Sequence, residues 1–94
     1  MSTLHTEHPS PSKYLLQLFD NDHCVGTAVI VRGYLDDITV YDLYRHRGYG
    51  QELLHACEAC GATQAIVVSE EGRHLFAAAG WVPCGGPRFE RVTH

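Results

Sequence analysis

Hydrophobic positions between residues 14 and 41 fall into three short runs. Tyr14 to Phe19 is almost wholly apolar, Asp20-Asn21-Asp22 interrupts it, and Cys24 to Arg32 resumes with Val, Ile and Thr. Two such runs around an Asp/Asn turn predict an antiparallel hairpin. Gly33 breaks the second run. Leu35 to Tyr41 then reads as a third strand, with Leu35, Asp37, Thr39 and Tyr41 on one side and Asp36, Ile38 and Val40 on the other. From Gly50 to Cys60 the period lengthens to that of a helix. Leu53, Leu54, Cys57 and Cys60 share one face, Gln51, Glu52, His55 and Glu58 turn to water, and Gly61 stands at the stop position. Ala65 to Val68 is a short apolar run that fits a strand covered on both faces, hence one with a parallel partner, and the third strand is that partner through a right-handed crossover. Ser69 is placed to cap a second helix whose first turn holds Glu70 and Glu71 and which Gly80 ends. Trp81 opens a last strand pair, turned by Pro83 to Pro87 and closed by Arg88 to Val92. The predicted fold is α/β with a mixed sheet, in the order β-β-β-α-β-α-β-β.

Size and composition narrow the picture. At 94 residues the chain is one domain. Residues 1–13 are polar, with Pro9 and Pro11, and read as a flexible tail before a single domain over residues 14–94. No apolar run reaches the ~20 residues that span a bilayer, and the start lacks the pattern of a secretory signal, so the expected location is cytoplasmic, with no membrane partner. A formal charge of −4 argues against nucleic acid as a partner. Cys57 and Cys60 form a Cys-x-x-Cys pair with His55 nearby, but inside a helical pattern and without a second pair. Buried thiols and no metal are expected.

The chemistry concentrates in Arg45-His46-Arg47-Gly48-Tyr49-Gly50, between the end of a strand and the start of a helix. Backbone N–H groups there lack intrahelical partners, Gly48 and Gly50 allow close approach, and the two arginines add charge-assisted bonds, so a pyrophosphate would fit. The spacing matches neither a Walker loop nor a dinucleotide loop.

The stretch from Asp36 to Gly50 resembles the core signature of the GNAT superfamily of N-acetyltransferases, and the resemblance continues through the helix, the apolar strand and Leu75-Phe76-Ala77-Ala78-Ala79-Gly80-Trp81. It covers roughly Tyr14 to Val92 and implies a minimal form without the N-terminal strand and helices of full-size relatives. It also implies a parallel strand pair splayed around acyl-CoA, with acetyl-CoA as cosubstrate. Ile38, Thr39 and Val40 would meet the acyl group and pantetheine arm. Arg45, His46, Arg47, Gly48, Tyr49, Gly50 and Gln51 would hold the pyrophosphate through main-chain N–H groups. Ser69 stands where an asparagine often contacts pantetheine, and Phe76 replaces the tyrosine that protonates the departing thiolate in many members, at a position that borders the cofactor; as a residue of an amphipathic helix beside Leu75 it reads as a core aromatic rather than a chemical group.

The implied reaction is transfer of acetyl from acetyl-CoA to a primary amine by direct attack in a ternary complex. Asp36 and Asp37 stand where some relatives place an acidic base acting through water; Asp36, which shares a face with Val40, is preferred, though a bulge would exchange the two, and Ser69 is the second catalytic candidate, while His46 and His74 also titrate near neutrality but are two of seven histidines. An open acceptor side favours a protein lysine or N-terminal amine, and a homodimer could rebuild a wall around it. The alternative that tolerates Phe76 is a non-catalytic acyl-CoA-binding sensor or protein-interaction module.

Overall fold

The computed structural model describes residues 2–92. Its strands β1 (Ser2–Ser10), β2 (Lys13–Asp20), β3 (His23–Val31) and β4 (Tyr34–Val40) form an antiparallel meander. A short 3-10 turn (Asp42–Tyr44) leads to helix α1 (Tyr49–Ala59), and β5 (Gln64–Ile66), α2 (Glu70–Ala78), β6 (Trp81–Pro83) and β7 (Arg88–Arg91) complete the chain. The seven strands form one sheet in the order β1-β2-β3-β4-β5-β7-β6, and β4 and β5 are its parallel pair.

The first strand corrects the expectation of a flexible tail and adds one strand to the predicted order. Residues 2–10 pair with β2, Leu4 opposite Leu18 and Thr6 opposite Leu16, with a register break near Pro9. An edge strand is held chiefly by its backbone ladder, so a segment with little to bury gives no hydropathy signal. Side chains add to the hold: the His8 ring stacks on Tyr14 at 4.0 Å, His5 lies 5.1 Å from Phe19, and the Ser2 hydroxyl bonds Glu52 on α1. Met1 of the expected tail, and Thr93 and His94 of the expected domain, lie outside the described residues.

One continuous core joins sheet and helices. Leu16, Leu18, Ala28 and Ile30 meet Leu53, Leu54 and Cys57 of α1, and Phe76, Trp81 and Phe89 extend the same cluster. A bulge puts Val25 opposite no residue of β2, which leaves both Val25 and Gly26 buried. The helix ends match their capping residues. Gly61, at φ 92°, lets its own N–H reach the Glu58 carbonyl and that of Ala62 the Cys57 carbonyl, the paired bonds of a Schellman ending. Burial pushes the Cys57 thiol up to about 12 and raises Cys60 as well, so neither is poised as a thiolate.

The expectation that β5 is covered on both faces fails. Ala65 and Val67 enter the core, but Ile66 is exposed and Val68 is 86% exposed. The parallel pairing is nonetheless present, because alternation along so short a strand needs only one buried face.

Candidate functional site

Strands β4 and β5 share only two register pairs, Tyr34 with Gln64 and Leu35 with Ala65. Beyond them β4 runs on to Val40 without a partner on that edge, while the Val67 N–H turns to the Pro87 carbonyl at 2.7 Å. The sheet therefore splits. The Tyr41 N–H bonds the Val25 carbonyl at 2.9 Å on the β3 side, so by the alternation of an antiparallel ladder the N–H and C=O of Val40 point the other way, into the split. A cleft of about 530 Å³ fills it, bordered by Ile38, Thr39 and Val40 on one side and by α2 on the other.

The α2 wall is made by Ser69, Glu71, Gly72, His74 and Leu75. Their spacing is that of one helical face. Gly72 must be small, since a Cβ there would lie 2.7 Å from Val67 Cγ1. The Ser69 hydroxyl oxygen accepts the Gly72 N–H at 3.0 Å, as an N-cap does, which leaves its own O–H free to donate. At the floor α1, α2 and β4 converge. A Cβ on Gly50 would meet Leu75 Cδ1 at 3.3 Å and Val40 Cγ2 at 3.9 Å, and the Gln51 amide donates to the Leu75 carbonyl at 3.3 Å.

At the mouth, the loop from Arg45 to Gly48 carries two left-handed residues, His46 at φ 64° and Gly48 at φ 85°. Gly48 is the N-cap of α1 and brings no capping side chain, so the first-turn N–H groups of the helix have no side-chain acceptor. With the helix dipole behind them they favour an anion. The Arg45 side chain lines the same cleft. Its Nε donates to the Val40 carbonyl at 3.2 Å, Nη1 meets Glu71 at 3.2 Å and Nη2 meets Asp42 at 3.2 Å.

The cleft thus brings together Ile38, Thr39, Val40, Arg45, His46, Gly48, Gly50, Gln51 and Ser69. The side chains of four expected residues lie elsewhere, while the main chain of Tyr49 still opens α1 at the mouth. Arg47 rests over the Tyr44 ring, 5.8 Å from its centroid. Tyr49 turns its hydroxyl to Asp20 at 2.5 Å, a bond that holds the Asp20 carboxyl below its usual range and raises the Tyr49 phenol, and that fastens the start of α1 to the β2–β3 turn. Phe76 is 1% exposed, edge-on to Trp81 and tilted against Phe89, so its side chain belongs to the core and not to the cleft. Asp36 is the extra residue of a bulge, Leu35 and Asp37 being paired on either side of it. The bulge resets the alternation, so Leu35 joins Ile38 in the core cluster and the shared face of Asp36 and Val40 no longer follows. Tyr44, Glu71, Gly72 and Leu75 line the cleft without having been singled out. The three on α2 were within reach of helical spacing from Ser69, whereas Tyr44 depends on a loop turn with no periodic signal.

Among the described residues no group of three or more His, Cys, Asp or Glu side chains gathers to hold a metal ion, and no helix is long and apolar enough to cross a membrane.

Comparison with known proteins fits this geometry. The family model described as Acetyltransferase (GNAT) family matches residues 2–81. A GNAT family acetyltransferase from Elizabethkingia anophelis with acetyl-CoA bound aligns with TM-score 0.72 at 16% identity, over 89% of this chain and 78% of that one. E. coli YhhK bound to coenzyme A aligns with TM-score 0.67 at 16% identity, over 90% and 76%. The AtaT Y144F mutant toxin bound to the C-terminus of the antitoxin AtaR gives 0.67 at 11%, over 95% and 90%. No curated protein matches the chain.

Proposed function

The chain belongs to the GNAT acetyltransferase family, and from that premise we propose that it transfers an acetyl group from acetyl-CoA to a primary amine of a protein, a lysine side chain or an N-terminal amine. The observation that carries this reading is the split edge of β4, where the Val40 N–H points into a cleft whose mouth is an uncapped helix start. The cosubstrate supplies an activated thioester. The first-turn amides of α1, with Arg45 and His46 lining the same cleft, suit its pyrophosphate, and the Ile38 to Val40 edge suits an extended amide-bearing arm. Two of the aligned structures hold acetyl-CoA or coenzyme A.

In the reaction the amine nitrogen attacks the thioester carbon. A backbone N–H at Val40 is placed to stabilise the oxygen as it gains charge, and the C–S bond then breaks to release the thiolate. The proton leaving the amine passes to solvent, with Asp36 on the exposed bulge as a base acting through water. Ser69, whose O–H is free to donate, is the candidate to meet the departing sulfur. A thiol of pKa ~8.5 is a fair leaving group without a dedicated acid, so Phe76 in the core is compatible with turnover. Exposed Asp36 and Asp37 favour a cationic acceptor. One aligned structure holds a toxin bound to its antitoxin, which supports a protein as a partner. Four unpaired cysteines fit the reducing cytoplasm.

The second reading, a non-catalytic acyl-CoA sensor, is favoured by one observation: Phe76, where many relatives carry the tyrosine acid, lies in the core and has no proton to give. Release of free thiol from acetyl-CoA, measured with lysine peptides and with peptides bearing a free N-terminus, separates the two. Acetyl mass on a peptide with matching thiol release supports transfer. Bound acetyl-CoA with no release on any amine refutes it.

A further inference from the structure

The Arg45 side chain crosses the mouth of the cleft. It starts from the loop before α1, takes the Val40 carbonyl on β4 through Nε, and reaches Glu71 on the first turn of α2 through Nη1, while Asp42 holds Nη2. Two of these contacts occupy groups that an acyl-CoA would use. The Val40 carbonyl is an acceptor on the free edge of β4, and the guanidinium is a charged donor on the cleft whose mouth holds the uncapped helix start. Glu71 is the residue that ties this arrangement to the opposite wall, since Val40 and Asp42 both lie on Arg45's own side of the split.

We propose that Arg45 is a strap held shut by Glu71, and that Glu71 thereby sets the affinity for the phosphate-bearing cosubstrate. Binding exchanges one partner for another. The ligand's phosphate oxygens take the guanidinium from the Glu71 carboxylate, and the Val40 carbonyl is freed for the ligand's amide. The Arg45 side chain is 43% exposed and that of Glu71 65%, so the held state is only weakly favoured and the exchange is reversible at ordinary ligand concentrations. Glu71 thus opposes ligand by keeping its partner engaged, and a neutral side chain there should improve binding. This inference rests on the acetyl-CoA reading for its ligand, but the strap itself exists in the free protein and can be observed there.

The test combines acetyl-CoA titration calorimetry with side-chain NMR of the free protein. Glu71→Gln should tighten acetyl-CoA about three- to fivefold, the range open to an exposed ion pair. Glu70→Gln removes the same charge from the same helix turn without touching Arg45 and should give less than half that gain. In an Arg45→Gln background the gain from Glu71→Gln should shrink to that of Glu70→Gln. Equal gains from the two glutamates, or a Glu71 gain that survives without Arg45, would overturn the strap in favour of a general field effect. Without ligand, the Arg45 Nε–H should exchange more slowly with solvent in the wild type than in Glu71→Gln; equal exchange also overturns it. Slow, Glu71-dependent exchange with no acetyl-CoA binding by any variant would uphold the contact and reject the cosubstrate, which keeps the two failures apart.

Discussion

Phe76→Tyr is the substitution whose outcome follows most directly from the packing. The Phe76 ring is 1% exposed, its centroid 4.9 Å from that of Trp81 at an interplanar angle of 85° and 5.9 Å from that of Phe89 at 39°. A hydroxyl at its tip enters a region where no polar side chain of the described residues is buried. An unpaired buried hydroxyl costs about 1–3 kcal/mol and forcing extra volume into a packed core a similar amount. Relaxation offsets part of the sum, leaving a loss of roughly 2–4 kcal/mol. A domain of this size holds about 5–14 kcal/mol in all, so the variant still folds. Its melting temperature should fall by about 8–32 °C, since each kcal/mol moves a domain of this size by about 4–8 °C. Thermal unfolding followed by circular dichroism reads this directly, and thiol release from acetyl-CoA, measured well below the melt, should not rise. A variant that melts within two or three degrees of the wild type, by that same scale, and turns over faster would refute the reasoning, because the hydroxyl would then have reached the cleft.

Three further predictions address the frame of the site. In Gly26→Ala the new Cβ lies 2.7 Å from the Thr39 carbonyl oxygen and 3.3 Å from Leu53 Cδ2. β4 must shift where it borders the split, so urea unfolding should show a loss of about 1–3 kcal/mol and calorimetry a weaker acetyl-CoA affinity. At Gly48 a Cβ meets nothing within 4 Å but the φ of 85° is left-handed, so Gly48→Ala should cost only the backbone penalty of about 1–2 kcal/mol. Gly48→Glu should melt at a similar temperature yet lose at least about tenfold in acetyl-CoA affinity, because it sets a carboxylate at the anion site. The Tyr49–Asp20 bond gives a pH signature. Asp20 is held below its ordinary 3.8, so its contribution is present above that pH and disappears as pH falls through the lowered value. Tyr49 is raised above its ordinary 10.0, so its contribution is present below that pH and disappears as pH rises through the raised value. The difference in melting temperature between wild type and Tyr49→Phe should be flat across neutral pH and shrink at both ends; a difference independent of pH would contradict the bond.

Local chemistry made much of this fold legible. Leu53, Leu54 and Cys57 mark a helical face, Gly61 stops it and Ser69 caps the next helix, and each of these acts through its near neighbours in the chain. The anion loop was readable for the same reason, as Gly48 takes the positive φ that its glycine permits. What escaped depends on pairing between distant segments. Strand β1 exists because β2 offers a free edge, and nothing in Ser2 to Ser10 announces it. The facing of Asp36 turns on a bulge, a property of register against β3 that strict alternation cannot foresee. Phe76 is in the core, as its place on an amphipathic helix suggests, but that its neighbours there are Trp81 and Phe89 depends on β6 and β7. The contacts of Arg45 with Val40 and Glu71 likewise need three separate elements to meet.

The central claim is that the split between β4 and β5 is an acetyl-CoA site. A thermal melt with and without acetyl-CoA, using ATP as the control for generic pyrophosphate binding, tests it most directly. Ligand at about 100 times its dissociation constant adds about 2.7 kcal/mol, which raises the melting temperature of a domain this size by roughly ten degrees or more. A rise of that order with acetyl-CoA and not with ATP is the predicted result. An unchanged melt at millimolar acetyl-CoA would contradict the account.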